Sequence, residues 1–166
     1  MKKEENGFKN KVHIALPMKS KPETRRFYEE VLGMRTIDFS PSELMVDFFD
    51  QHIAFHEVLN FKKIQSPDIM VKSPEEGAPD IIAHSAHFGA CISAKDYKAM
   101  EIRILNNEEV EVTFGPKIYD HGNGIEEYIV HFQDCNGTPL EFKAISNDSY
   151  SLDSLADWSH KTTHNY

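Results

Sequence analysis

Three side chains in this sequence are suited to holding a metal ion, and they recur in similar local settings. His13 stands in Val12-His13-Ile14, His87 in Ala86-His87-Phe88 and Glu141 in Leu140-Glu141-Phe142. Each polar group is flanked by apolar residues in a run that alternates like a strand, so it points away from the face its neighbours use. Taken singly, such a histidine is an ordinary structural residue and such a glutamate an ordinary solvent-facing one. Together, two imidazoles and one carboxylate make the facial triad that suits a divalent metal with positions left open for substrate, water or dioxygen. His52 and His56 flank Ala54 at alternate positions of another strand-like run. They are acid/base or substrate candidates, because histidine titrates near neutrality.

Residues so far apart in the chain need a repeated architecture to meet. Lys11–Leu16 reads as a strand, ended by Pro17, and Ser20-Lys21-Pro22-Glu23 is a capping box opening a helix to about Leu32, with Phe27, Val31 and Leu32 buried and Gly33 as the stop. Arg35–Phe39, Leu44–Phe49 and His52–Glu57 follow as strands. The pattern restarts with Ala86–Ile92 as a strand carrying His87 in its middle. Ser93 then caps a helix with Tyr97, Met100, Ile104 and Leu105 inward, followed by a strand over Val110–Phe114 and a loop over Gly115–Ile125. Tyr128–Lys143 closes the unit as a hairpin. Its turn is Asp134-Cys135-Asn136-Gly137, and Pro139 opens its second strand, where a missing N–H does least harm. Both halves are therefore β-α-β-β-β, an internal repeat carried by element order and by the position of one histidine.

The expected organisation is a tail over residues 1–10, a single domain over 11–145 with modules 11–58 and 84–145, a connecting loop over 59–83 and a polar tail over 146–166. The connection carries Pro67, Pro74 and Pro79, and its length suits a lid or entrance wall. With 27 acidic and 18 basic residues and a net charge of −9, the chain is not built to neutralise a phosphate backbone, so no nucleic-acid partner is expected. No stretch approaches a membrane span, and the N-terminus lacks the apolar run of a signal peptide. The two cysteines, Cys91 and Cys135, are too few for a disulfide framework, so a cytoplasmic setting is expected.

With these elements in place, the chain resembles the vicinal oxygen chelate superfamily, which includes glyoxalase I, extradiol dioxygenases, fosfomycin-resistance proteins and bleomycin-binding proteins. The resemblance rests on VHIALPMKSKPETRRFYEEVLGM, AHFGACI and FQDCNGTPLEF, and it spans residues 11–145. It implies an α+β fold of two βαβββ modules forming a cupped, incomplete barrel around a divalent metal, with His13, His87 and Glu141 as ligands. Fe2+ or Mn2+ is favoured, with Zn2+ or Ni2+ as alternatives. Ala54 takes the place of a fourth ligand, which counts against the glyoxalase I pattern.

The resemblance to extradiol dioxygenases continues through His121-Gly122-Asn123, which matches a His-x-Asn motif, and through His131, ten positions before Glu141, where that pattern carries a tyrosine. Cys135 replaces its proline. His131, His121 and His52 are then the catalytic candidates, and His131→Phe is expected to keep the metal while lowering turnover about 10²–10⁴-fold. Fosfomycin-resistance members need cations for a phosphonate. Lys117, Lys143 and Lys11 are available for that, and His56 remains a substrate-binding candidate from its strand position. The expected function is a metal-dependent, dioxygenase-like enzyme acting on a small molecule chelated through oxygen. A glyoxalase-type isomerase, a thiol transferase and a metal-free sequestering protein are the alternatives. The resemblance also allows a homodimer.

Overall fold

The structure, a computed structural model, describes residues 12–63, 69–71, 81–83 and 86–148. The expected tail over residues 1–10, Lys11, most of the C-terminal tail and residues 64–68 and 72–80 of the 59–83 connection lie outside the described residues. The chain divides into two compact units, one ending at Phe61 and the other beginning at Lys62.

The first unit opens with β1 (His13–Met18), which runs through Pro17 rather than stopping there. β1 is an edge strand, where a proline removes no ladder bond that the sheet needs. Ser20 Oγ accepts the Glu23 N–H, starting helix α1 (Lys21–Arg26). The helix then widens into a π-helical turn, Phe27–Val31, with Leu32 N–H bonded to the Phe27 carbonyl, instead of continuing as one α-helix. Gly33 adopts φ +72°, the left-handed stop. Strands β2 (Thr36–Ser40), β3 (Glu43–Phe48) and β4 (Gln51–Glu57) complete a sheet of order β1-β4-β3-β2, with β1 parallel to β4. Alternation in β3 buries Leu44, Val46 and Phe48 on the side of Phe27, Tyr28 and Val31, and the Tyr28 ring lies 5.1 Å from that of Phe55.

The second unit repeats this order. β7 (Phe88–Cys91), helix α2 (Ala94–Leu105), β8 (Glu111–Asp120), β9 (Glu126–Gln133) and β10 (Pro139–Ile145) form a sheet of order β7-β10-β9-β8, with β7 parallel to β10. Ser93 caps α2 as expected. Its Oγ accepts the Asp96 N–H at 3.0 Å and donates to Asp96 Oδ2 at 2.7 Å. Tyr97 and Ile104 are buried against the sheet, but Leu105 is 51% exposed, because one further residue turns it off the apolar stripe. Leu140, Phe142, Val130 and Phe132 form the buried face under this helix, and truncating a ring such as Phe132 to alanine would cost roughly 3–5 kcal/mol.

Three further sequence expectations need correction. Residues 115–120 are not loop: β8 continues to Asp120, because register shifts on either side of Phe114 absorb Gly115-Pro116 and let pairing resume at Lys117. Neither His13 nor His87 is mid-strand. His13 is the first residue of β1 and His87 immediately precedes β7, because the parallel ladders begin there. The 59–83 connection is not wholly irregular, since β5 (Ile69–Val71) and β6 (Ile81–Ala83) pair antiparallel within it. Among the described residues, no helix is long and apolar enough to cross a membrane.

Candidate metal centre

Strand β10 is the organiser of this site. It lies between β7 and β9, and its alternation sends Leu140, Phe142 and Ala144 into the core and Glu141 and Lys143 to the opposite face. The turn before it fixes the register. Asp134 Oδ1 accepts the N–H groups of Asn136 at 2.8 Å and Thr138 at 2.7 Å, and Gly137 sits at φ +80°. This aligns Glu141 with His131 across the β9–β10 ladder, and the β8 register places Phe114 beside His131. On the other flank Glu141 faces Gly89 of β7. A Cβ on Gly89 would fall 1.8 Å from the Glu141 carbonyl oxygen, so only glycine allows this approach.

The Glu141 carboxylate is shared between two imidazoles. Its Oε1 lies 3.0 Å from His131 Nε2, and its Oε2 lies 3.1 Å from His87 Nε2. The two rings are 4.5 Å apart, tilted by 56°. One ligand atom from each of the three residues lies within 4.8 Å of the others. Two imidazole nitrogens and a carboxylate, this close, fit a divalent ion held through bonds of about 2.0–2.2 Å. Burial pushes the Glu141 carboxyl up. The His131 hydrogen bond and the charges of Lys143, His131 and His87 outweigh it, holding the group below the ordinary glutamate value and ready as an anion.

The polar row continues along the same face. Lys143 Nζ lies 3.8 Å from Glu141 Oε1 and 3.0 Å from Glu127 Oε1, and His121 Nε2 meets Glu127 Oε2 at 3.0 Å. Lys117 places its ammonium 5.7 Å above the Phe114 ring and 4.6 Å above that of Tyr119. Of the residues singled out by sequence, His87, Glu141, His131, Lys143 and His121 are thus linked in one row of the second unit. Lys117 lies on the same sheet. Glu127 had not been singled out, although its spacing of four from His131 puts both on one strand face.

His13, His52 and His56 belong to the first unit. Register pairs His13 with His52, Ala15 with Ala54 and Pro17 with His56, and His56 Nδ1 lies 3.0 Å from Glu43 Oε1. Superimposing the two ladder registers makes His13 equivalent to His87, Ala54 to Glu141 and Met45 to His131. The first unit therefore repeats the geometry of the site but keeps only one of its three ligand types.

No family model matches the chain, and no curated protein matches its sequence. Solved structures do match. A glyoxalase/bleomycin resistance protein/dioxygenase from Alicyclobacillus acidocaldarius superposes with a TM-score of 0.57 at 20% identity, covering 88% of this chain and 95% of that one. The fosfomycin resistance protein FosX from Listeria monocytogenes gives 0.55 at 17% identity, with 87% and 96% covered. An integron cassette protein from the mobile metagenome of a Halifax Harbour sewage outfall gives 0.54 at 17%, with 82% and 98% covered. The expected fold is thus found: two βαβββ units, each with a mixed four-stranded sheet, as in structures of the glyoxalase/bleomycin resistance/dioxygenase superfamily. At such identities the match speaks for the fold alone.

Proposed function

We propose that this chain, on the fold it shares with glyoxalase/bleomycin resistance/dioxygenase structures, is a divalent-metal-dependent, dioxygenase-like enzyme acting on a small molecule chelated through oxygen atoms. The observation that carries the reading is the convergence of His87, His131 and Glu141, whose ligand atoms lie within 4.8 Å of one another. These residues would hold the ion, with Fe2+ or Mn2+ favoured for oxygen chemistry over Zn2+ or Ni2+. A divalent ion there would supply Lewis-acid charge and open positions for substrate oxygens. The chain supplies the surroundings. Glu141 and its imidazoles fix the donor geometry, Phe114 offers a ring face beside His131, and the Lys143 and Lys117 ammonium groups offer positive charge to an anionic substrate oxygen.

A second ligand set follows from the repeat and the family resemblance. His13, the register equivalent of His87, would take the place of His131, leaving His131 and His121 to move protons, with His52 and His56 as further acid/base or substrate groups. A cytoplasmic homodimer belongs to the same proposal, and two exposed cysteines that form no disulfide fit a reducing compartment.

The test is metal analysis of the purified protein, followed by anaerobic reconstitution with Fe2+ or Mn2+ and oxygen uptake with a panel of catechols. Stoichiometric metal and catechol-dependent oxygen uptake are expected. Metal with no oxygen uptake would move the reading to isomerase or thiol-transfer chemistry. A protein that takes up no metal yet binds an apolar ligand would be a sequestering protein.

A further inference from the structure

We infer that Glu127 is a positioning residue for the metal centre. By holding the Lys143 ammonium, it keeps that cation from pairing fully with Glu141 and leaves the Glu141 carboxylate available to a metal ion. The inference rests on the metal reading of His87, His131 and Glu141 given above.

Ladder register puts Lys143 between two carboxylates. Lys143 pairs with Ile129, Glu141 with His131 and Ile145 with Glu127, so Glu141 and Glu127 share the Lys143 face, Glu141 on its own strand and Glu127 diagonally across on β9. The ammonium has settled toward Glu127, at 3.0 Å against 3.8 Å for Glu141. Glu127 is itself held, because His121 Nε2 meets its other oxygen at 3.0 Å. The Glu127 and Glu141 side chains are only 13% and 14% exposed and that of Lys143 25%, so solvent screens these pairings weakly. Without the Glu127 charge, Glu141, 3.8 Å away, is the carboxylate left to Lys143 among the described residues, and it is the proposed ligand. A metal ion would then have to displace a fully engaged ammonium.

Simple loss of a negative charge near a cation site would also weaken metal binding, so the experiment must separate the two. A double-mutant cycle does so. Zn2+ is the probe, because it binds nitrogen and oxygen sites more tightly than Mn2+ or Fe2+. Its affinity would be read by competition with a chromophoric chelator for the wild type, Glu127→Gln, Lys143→Met and the double variant, with thermal melts to confirm folding. If Lys143→Met does not fold, Lys143→Gln replaces it. Glu127→Gln is expected to weaken Zn2+ binding about 10-fold, the lower end for residues that support a ligand from behind. In the Lys143→Met background the same substitution should change affinity by less than about twofold, because no ammonium remains to be released. Equal weakening in both backgrounds, or none in the wild type, overturns the inference. A His87→Ala control keeps the failures apart. If the wild type binds Zn2+ and His87→Ala does not, the metal reading stands whatever Glu127 does; if the wild type binds none, both fall.

Discussion

His131 and Glu141 face each other across the β9–β10 ladder, with Nε2 and Oε1 3.0 Å apart. A donor that close to a ligand carboxylate is in place to bind the same ion. His131→Phe and His87→Ala should therefore each abolish stoichiometric metal binding, while His13→Ala leaves it intact, as read by elemental analysis after reconstitution. The opposite pattern, with metal kept in His131→Phe, lost in His13→Ala and turnover down about 10²–10⁴-fold in His131→Phe, would return His131 to moving a proton.

Gly89 is the close-approach residue between β7 and β10. Gly89→Ala puts a methyl group against the Glu141 backbone, which cannot rotate away. Overpacking of this kind costs about 1–3 kcal/mol, and here it also pries His87 from Glu141. We expect a lower denaturation midpoint together with weaker metal binding. A variant with full stability would mean the two strands can part without penalty.

Asp134 closes the hairpin that sets the register of the site. Asp134→Ala removes the acceptor of two backbone N–H groups, those of Asn136 and Thr138, in a buried turn. Each group left unpaired costs about 1–3 kcal/mol, so a loss of roughly 2–6 kcal/mol in urea unfolding is expected. Asp134→Asn, which keeps one acceptor oxygen, should lose less.

Asp38 provides a pH test away from the centre. A hydrogen bond from Lys21 lowers its carboxyl pKa; slight desolvation opposes this, and the charges of Arg25 and Lys21 add to it. Because the folded value lies below the unfolded one, its contribution to stability is complete above the ordinary aspartate range. That contribution is lost as pH falls through the folded value. Carboxyl-carbon NMR titration should show a low midpoint for Asp38 that rises in Lys21→Met. An unmoved midpoint would remove Lys21 as the cause.

Local chemistry made much of this protein legible in its sequence. Ser20 and Ser93 mark helix starts because only the next few backbone N–H groups need an acceptor. The Asp134–Gly137 turn and the alternation of Leu140–Lys143 fix a hairpin, and with it the facing of His131 and Glu141, because the pairing partners are a few residues apart. What the sequence alone did not decide depends on pairing between distant segments. The seat of His87 beside Glu141 requires the parallel β7–β10 ladder, formed across a helix and two strands, and the Gly89 contact that lets the strands close. The extension of β8 past Gly115-Pro116 requires β9 alongside to hold the resumed register. Strand periodicity tells which face a side chain takes, whereas its lateral neighbours follow from hydrogen bonds made by other parts of the chain, and only the tertiary structure supplies those.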